Sequence, residues 1–180
     1  MSSNGQQEII LVDVDNQAVG HSEKMQAHRE GLLHRAFSVF VFDDSGRLML
    51  QQRAAGKYHS GGLWANTCCS HPPPGRDLIE FAEQRLTEEM GFSCALEPVF
   101  QFTYRAVVDN GLIEHEVDHV LFGSFERDPL PDPDEVSNWR WISLQALETE
   151  LSHRPELYAC WLHHCFGRVA VERGLVAEGD

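Results

Sequence analysis

The sequence predicts a mixed α/β domain (α+β), in which a β-sheet is combined with one central helix and C-terminal helices. Apolar and β-branched segments of strand length, the longest at 113–125, predict the sheet. A helical pattern at 78–90 predicts the central helix, and helical patterns toward the C-terminus predict the remaining helices. At 180 residues the chain is most simply one domain with a substantial core. We therefore expect a single domain over residues 9–175, between flexible ends at 1–8 and 176–180.

The composition restricts the location of the protein and its partners. With 42% hydrophobic and 23% charged residues it is that of an ordinary globular protein, and the net charge of −14 argues against nucleic acid and anionic membranes as partners. Five cysteines, two of them adjacent at Cys68 and Cys69, cannot all pair and favour a reducing compartment. Neither a signal peptide nor an apolar stretch of about 20 residues is present. We expect a cytoplasmic protein with no membrane partner.

The first part of the chain is predicted to form strands linked by short turns. The turn Asp43-Asp44-Ser45-Gly46 predicts a hairpin between its two flanking strands. Residues 23–33 are polar and irregular, and the six-residue spacing of His28 and His34 does not place both on one helix face. A basic loop containing glycine at 53–62 carries Lys57 and His59. Strands are predicted at 9–14, 35–42, 47–52 and 63–69.

The helix at 78–90 has a clear beginning and end, because Asp77 suits an N-cap and Gly91 suits the position after the last turn. On a wheel of about 100° per residue its apolar side chains share one face, and Glu89 lies within that face. An unpaired buried carboxylate is costly. We therefore expect a cation beside Glu89, supplied either by Arg85 four residues earlier or by a metal ion.

The second part of the chain carries a row of acids on one strand. Side chains alternate along a strand, so Glu114, Glu116 and Asp118 share one face. Neighbouring carboxylates repel unless a cation or a shared proton lies between them, so the row is either a metal site or a solvated surface. Tyr104 ends an aromatic strand face and suits either the core or a pocket. The remaining predicted elements are strands at 94–106, 113–125 and 138–142 and helices at 144–151 and 155–173.

Histidine, cysteine and basic residues supply further candidates. Ten histidines offer imidazole ligands, which together with carboxylates suit zinc, manganese or iron(II), although each histidine alone is better explained as a core or surface residue. Cys69 lies two residues before His71 and is either a tuned thiol or a small buried apolar residue. The candidates for an anion clamp, each also explicable as a surface charge, are Lys24, Arg53, Lys57 and Arg85.

In combination and in this order, the motifs resemble those of the type 1 isopentenyl-diphosphate isomerases, whose fold is of the Nudix kind. The resemblance covers about residues 9–170 and implies a Nudix-like mixed β-sheet sandwiched by helices. The matching segments are Lys24-Met25-Gln26-Ala27-His28, His34-Arg35-Ala36-Phe37-Ser38, Arg53-Ala54-Ala55-Gly56-Lys57, Trp64-Ala65-Asn66-Thr67-Cys68-Cys69-Ser70-His71, Phe102-Thr103-Tyr104-Arg105-Ala106, Glu114-His115-Glu116-Val117 and Trp161.

The resemblance implies an enzyme of isoprenoid biosynthesis that interconverts isopentenyl diphosphate and dimethylallyl diphosphate. Such an enzyme moves a C=C bond by protonation and deprotonation through a tertiary carbocation, and it is an isomerase of the intramolecular oxidoreductase class. Its partner is a small diphosphate substrate, and we expect a monomer or a weak homodimer.

The resemblance also implies roles for individual residues. The catalytic residues would be Cys69, Glu116 and Tyr104. The ligands of a divalent transition metal, Mn²⁺ or Zn²⁺, would be His28, His34, His71, Glu114 and Glu116. Glu89 and the backbone carbonyl of Cys69 would hold a Mg²⁺ ion on the diphosphate. The substrate-binding residues would be Lys24, Arg53, Lys57 and Arg85 at the diphosphate and Trp161 at the carbocation.

The chain departs from the Nudix box, Gly-x5-Glu-x7-Arg-Glu-apolar-x-Glu-Glu-x-Gly. Ser70 stands for the glycine, Arg76 for the first glutamate and Gln84-Arg85 for Arg-Glu. Pyrophosphohydrolysis needs several carboxylates to hold metals and activate water, so these losses favour an isomerase over a Nudix hydrolase. A catalytically silent metal-binding or interaction domain is the third hypothesis.

Overall fold

A computed structural model describes residues 7–175 of the chain. The strands are β1 (Glu8–Val12), β2 (Ala18–Glu23), β3 (His34–Phe42), β4 (Leu48–Arg53), β5 (Trp64–Ala65), β6 (Cys68–Ser70), β7 (Glu97–Val107), β8 (Ile113–Ser124) and β9 (Val136–Ile142). The helices are α1 (Lys24–Glu30), α2 (Leu78–Met90), α3 (Leu144–His153) and α4 (Cys160–Glu172), with one-turn 3₁₀ helices at Asp109–Gly111 and Pro155–Leu157. The flexible ends predicted at 1–8 and 176–180 lie outside the described residues except for Gln7 and Glu8, and Glu8 begins β1.

The strands form one mixed sheet around β3. β3 pairs in parallel with β8, from His34 opposite Glu116 to Phe42 opposite Ser124, and antiparallel with β6. β7 pairs antiparallel with β8 on the far side. The hairpin predicted between β3 and β4 closes only at the pair Phe42 and Leu48, because β4 then turns away to pair with β9 and β5. This divergence curls the sheet and opens a space between its two halves.

Helices cover both faces of the sheet, as the predicted sandwich requires. Phe40 and Phe42 of β3 pack with Leu147 of α3 and with α4 in one apolar cluster. The alternate side chains of the same strand, including Phe37 and Val39, pack with α2 in a second cluster. A strand buried on both faces is continuously apolar rather than alternating, which is the pattern of residues 36–42.

Residues 24–30 form a helix, where the sequence pattern indicated irregular chain. The Glu23 carboxylate caps α1 by accepting from the amides of Met25 and Gln26, both at 2.9 Å. Gly31 ends it in the left-handed region at φ 66°. The helix is short, with few apolar residues, so its periodicity is weak. It buries Lys24 and His28, which lie one turn apart.

The segment predicted as one strand at 63–69 is divided into β5 and β6. Between them, Asn66 and Thr67 turn their side chains toward neighbouring backbone: the Asn66 amide donates to the carbonyl of Val39 at 3.0 Å, and the Thr67 hydroxyl donates to that of Met49 at 2.7 Å. These bonds fix the segment that precedes Cys69.

The last helix begins at Cys160 rather than at the predicted Pro155. Tyr158 is extended, and the Ala159 amide donates to the carbonyl of Trp64 at 2.9 Å, so this segment lies along β5 before α4 starts. The first turn of α4 is thereby placed at the open end of the sheet. Among the described residues no helix is long and apolar enough to cross a membrane, and the cytoplasmic location stays a prediction.

Candidate active site

One cavity of about 340 Å³ lies in the space that the curled sheet leaves open. Its walls come from β3, β6, β7, β8, the loop after β4, α2 and the first turn of α4. All three predicted catalytic residues and all five predicted substrate-binding residues line it. They are Cys69, Glu116, Tyr104, Lys24, Arg53, Lys57, Arg85 and Trp161.

The predicted metal ligands form one buried cluster at the deep end of this cavity. One ligand atom from each of the five residues lies within 4.8 Å of all the others. The sheet brings them together: His34 lies opposite Glu116 across the parallel β3–β8 pair, although 81 residues separate the two in sequence. His71 Nε2 lies 2.7 Å and His34 Nε2 3.4 Å from Glu116 Oε1, and His28 Nε2 lies 3.6 Å from Glu114.

The hydrogen bonds of two histidines leave a free nitrogen pointing into the cluster. His28 Nδ1 donates to the carbonyl of Lys24 at 2.7 Å, and His34 Nδ1 donates to that of Leu32 at 2.8 Å. With the proton on Nδ1, each Nε2 carries a lone pair, and both Nε2 atoms are buried without a hydrogen-bond partner. Outer carbonyls of this kind orient metal-ligating histidines. The donor set of three imidazoles and two carboxylates therefore fits a divalent transition metal.

The acids of β8 are buried, which excludes the interpretation of the row as a solvated surface. Burial opposes ionisation of Glu116, but contacts with Glu114 and His34 lower its pKa below the ordinary value. Burial raises the pKa of Asp118 well above its usual range, and the Glu116 carboxylate adds to this effect. Burial therefore favours the protonated form of Asp118, whereas the contacts of Glu116 favour its ionised form beside the histidines.

Tyr104 lies directly across the β7–β8 pair from Glu116. Its hydroxyl donates to Glu116 Oε2 at 2.8 Å and lies 3.4 Å from Glu114 Oε2. Burial and the adjacent carboxylate raise the pKa of Tyr104 well above 10, so the phenol keeps its proton. It can therefore orient one oxygen of Glu116 while the other faces the histidines.

The two adjacent cysteines point to opposite sides of β6. Cys68 is fully buried in the apolar cluster beneath α2, whereas Cys69 lines the cavity. Burial raises the pKa of Cys69 far above its usual range, and the nearby Asp118 contributes in the same direction. Its side chain is therefore a neutral thiol. The Cys69 Sγ atom donates to Asn66 Oδ1 at 3.0 Å and lies 3.6 Å from Ser38 Oγ.

Trp161 stands beside the same asparagine. Its Nε1 donates to Asn66 Oδ1 at 2.9 Å. The Asn66 amide nitrogen donates to two backbone carbonyls, so its oxygen is the atom left to accept from both functional side chains. The Arg53 guanidinium lies 5.2 Å from the Trp161 ring centroid, which places the ring between the thiol and the basic end of the cavity.

Basic side chains gather at the other end of the cavity, where an anion would be held. Lys24 and Arg53 are buried, and burial lowers the pKa of Lys24 to about 8 against the attraction of Glu114. Lys57 contacts Glu135, and Arg85 Nη2 lies 3.4 Å from the same carboxylate. Among the described residues, Lys24 and Arg53 form no ion pair with a carboxylate, whereas Lys57 and Arg85 are paired with carboxylates that a polyanionic group would have to displace or bind through a cation.

Glu89 lies on the buried face of α2, as the helical wheel predicts, and is 3% exposed. Arg85 Nη2 donates to its Oε1 at 2.7 Å, and Gln51 Nε2 donates to its Oε2 at 3.1 Å. Burial opposes its ionisation, but the charges of Lys57 and Arg85 lower the pKa of Glu89 below the ordinary value. Of the two cations considered from sequence, the structure shows Arg85 beside this carboxylate; the metal ion stays a prediction.

The cavity residues that were absent from the sequence-derived set of site residues include Asp118, Glu135 and His59, three ionisable residues with contacts in the site. Asp118 shares a face with Glu114 and Glu116, and this alternation was a usable signal. Glu135 lies in a polar loop, far in sequence from the cations it contacts. His59 lies in the loop between β4 and β5 and touches Glu114, but an isolated histidine in a loop without periodicity gives no signal.

Comparison with known proteins agrees with the fold. A model of the NUDIX domain matches residues 32–162. The crystal structure of DR0079 from Deinococcus radiodurans superposes with a TM-score of 0.76 at 17% identity, covering 90% of this chain and 98% of that one. A MutT protein from Methanosarcina mazei reaches a TM-score of 0.64 at 17% identity, over 78% of this chain and 94% of that one. The match to the family model over residues 32–162, together with the fold, defines a Nudix-domain protein.

Sequence relatives define the family more narrowly. Isopentenyl-diphosphate Delta-isomerase 2 of Aromatoleum aromaticum is 52% identical over 172 residues, which are 96% of this chain and 91% of the relative. The isopentenyl-diphosphate Delta-isomerase of Burkholderia multivorans is 52% identical over 158 residues, 88% of this chain and 90% of the relative. The chain belongs to the type 1 isopentenyl-diphosphate isomerase family of the Nudix superfamily.

Proposed function

We propose that this protein is the isomerase that interconverts isopentenyl diphosphate and dimethylallyl diphosphate in isoprenoid biosynthesis. Relatives about 50% identical over most of the chain bear that name. The observation that carries the proposal is the arrangement of one cavity: a neutral thiol, an ionised carboxylate and an aromatic ring at one end, and four cations at the other. The reaction moves a C=C bond within one molecule, which places the enzyme among the intramolecular oxidoreductases.

The two protonation states suit a proton addition followed by a proton removal. In the direction from isopentenyl diphosphate, the Cys69 thiol gives its proton to the terminal alkene carbon, and a tertiary carbocation results. Glu116 then takes a proton from the carbon next to the cation, and the electrons of that C–H bond form the new double bond. The raised pKa of Cys69 and the lowered pKa of Glu116 give the resting protonation states from which these two steps start, a protonated thiol and an ionised carboxylate.

Tyr104 and Asn66 orient the two groups. Tyr104 donates to Glu116 Oε2, which holds the carboxylate in one rotamer. Asn66 accepts from the Cys69 thiol and, through the same oxygen, from Trp161. The Trp161 ring stabilises the cation without attacking it, because an aromatic face attracts positive charge and is a poor nucleophile. Its burial also keeps water from quenching the intermediate.

We assign two metal ions to the site by residue. His28, His34, His71, Glu114 and Glu116 would hold Mn²⁺ or Zn²⁺, since imidazole and carboxylate suit both. When bound, this ion supplies positive charge that keeps Glu116 ionised. Glu89 and the backbone carbonyl of Cys69 would hold Mg²⁺ against the diphosphate. Arg85, which pairs with Glu89 in the structure, would then turn toward the phosphate oxygens.

Turnover with product analysis tests the function. The protein is incubated with isopentenyl diphosphate and Mg²⁺, and the products are separated by chromatography alongside a phosphate assay. We expect dimethylallyl diphosphate and no released phosphate. Phosphate or monophosphate without an allylic product would indicate a Nudix hydrolase. A folded, metal-loaded protein that changes neither substrate would indicate the catalytically silent domain.

A further inference from the structure

His59 lies against the metal cluster but is not one of its five ligands. It sits in the loop between β4 and β5 and is 3% exposed. Its Nε2 contacts Glu114 Oε1, the same carboxylate oxygen that lies 3.6 Å from His28 Nε2. It falls outside the group of ligand atoms that lie within 4.8 Å of one another. His59 therefore approaches Glu114 from outside the cluster.

The backbone around His59 is held from both sides. Arg53 Nη2 donates to the carbonyl of His59 at 3.1 Å, and the amide of Ser60 donates to Asp109 Oδ2 at 2.9 Å. The Ser60 hydroxyl lies 3.0 Å from His59 Nδ1. With its main chain and Nδ1 both fixed, the imidazole cannot turn away from Glu114. The geometry is that of a rigid support rather than of a mobile side chain.

Glu114 has few other partners that fix its orientation. The Tyr104 hydroxyl lies 3.4 Å from its Oε2 and bonds Glu116 more closely. Glu116 lies two residues along β8 and places a second buried carboxylate beside Glu114, and His28 Nε2 lies 3.6 Å from Glu114 Oε1. A carboxylate that must serve as a metal ligand beside a like charge needs a donor on its outer side.

We propose that His59 is a positioning residue for Glu114. Its Nε2–H holds the carboxylate in the orientation in which it binds the transition-metal ion, as outer partners of metal ligands do. His59 and Lys57 lie in the same loop, and the carbonyl of His59 accepts a hydrogen bond from Arg53. The contact between His59 and Glu114 therefore also connects this basic loop to the metal site. This proposal rests on the metal site assigned under the proposed function.

Two conservative substitutions separate this role from simple packing. The side-chain nitrogen of glutamine reaches about as far as histidine Nε2, whereas that of asparagine reaches only as far as Nδ1 and cannot touch Glu114. In His59→Gln we expect Mn²⁺ affinity within a few-fold of the parent. In His59→Asn and His59→Ala we expect a loss of about 10–100-fold. His153→Ala, at the exposed end of α3, is the matched control and should bind like the parent.

Affinity is measured by titrating metal-free protein with Mn²⁺ and following the free ion by electron paramagnetic resonance, without substrate. Thermal unfolding in chelator shows whether each variant is folded. Unchanged affinity in His59→Ala, or equal losses in His59→Gln and His59→Asn, would overturn the proposal. The measurement of Mn²⁺ affinity involves no catalytic step. Its result therefore tests the role of His59 even if the protein proves not to be an isomerase.

Discussion

The Cys69 thiol donates a hydrogen bond to Asn66 Oδ1 at 3.0 Å, and the same oxygen accepts a second hydrogen bond from Trp161 Nε1. One amide oxygen therefore sets the position of the proposed acid and of the ring that would face the carbocation. The amide nitrogen of Asn66 is tied to the carbonyls of Val39 and Cys68, which belong to the sheet itself. The geometry of the reaction is thus fixed by backbone that cannot shift without disturbing the core.

The two cysteines provide a matched pair of variants. Cys69→Ala should lower kcat by at least about 100-fold, because it removes the proposed proton donor, while the fold and metal content remain. Cys68→Ala should keep most of its activity, since Cys68 faces the apolar cluster under α2. Steady-state kinetics and metal analysis on both variants check this. If Cys68→Ala were the inactive variant and still folded, the acid has been placed on the wrong thiol.

Trp161 should act through its ring face. Trp161→Phe keeps an aromatic face and loses the bond to Asn66, whereas Trp161→Leu loses both. A desolvated cation–π contact is worth about 2 kcal/mol, so kcat should fall roughly 30-fold in Trp161→Leu and less in Trp161→Phe. The measurement is kcat for both variants under saturating substrate. Equal losses would show that the hydrogen bond or the packing matters rather than the ring.

Removal of the transition metal should destabilise the protein. Without a cation, Glu114 and Glu116 lie side by side in a buried cluster with only histidines between them. At a metal concentration about 100 times Kd, binding adds about 2.7 kcal/mol to the free energy of unfolding, a shift in Tm of roughly 5–10 °C. Differential scanning calorimetry of the chelated protein with and without added Mn²⁺ or Zn²⁺ measures it.

The same experiment on His34→Ala provides its control. This variant lacks one ligand and should show little metal-induced shift. A full shift in His34→Ala would mean that the ions bind elsewhere on the chain. His34 lies on the central strand β3, so the Tm of the chelated variant is recorded first to establish that it folds.

Glu89 should affect substrate and Mg²⁺ rather than the histidine cluster. Glu89→Gln keeps the shape and removes the charge, so KM for isopentenyl diphosphate at limiting Mg²⁺ should rise by about tenfold or more, equivalent to about 1.4 kcal/mol. Glu80→Gln, on the exposed face of α2 and outside the cavity lining, should change KM little. Metal analysis should find the transition metal retained in both. Loss of that metal in Glu89→Gln would show that the two proposed metal sites are one.

Local patterns predicted the parts of the fold that depend on neighbouring residues. The caps at Asp77 and Gly91 placed α2 correctly, and the wheel placed Glu89 on its buried side. The parallel pairing of β3 with β8 is different, because its partners are about 80 residues apart and nothing in either strand encodes the other. The helix α1 was missed because its support comes from the Glu23 cap and from tertiary packing rather than from an apolar stripe.

The candidate site also has one part that local sequence patterns predict and another part that depends on contacts between residues distant in sequence. Alternation along β8 places its acids on one face, but alternation alone leaves open whether that face is buried. His28 of α1 and His59 of the β4–β5 loop cover Glu114 on that face. The resemblance to the isomerase family supplied the ligand set, and the structure brings all five members together. His59 and Asn66 were not selected as site residues, because each acts through one contact that only the folded chain creates.

The central claim is that a proton from the enzyme enters the substrate while another leaves. The labile protons of the protein are first exchanged for deuterium. The protein is then incubated with isopentenyl diphosphate and Mg²⁺ in deuterated water, and the product is analysed by NMR. The account predicts dimethylallyl diphosphate that carries deuterium in the methyl group formed from the terminal alkene carbon. With Cys69→Ala it predicts no deuterated product. An allylic product without deuterium, or release of phosphate in its place, would contradict it.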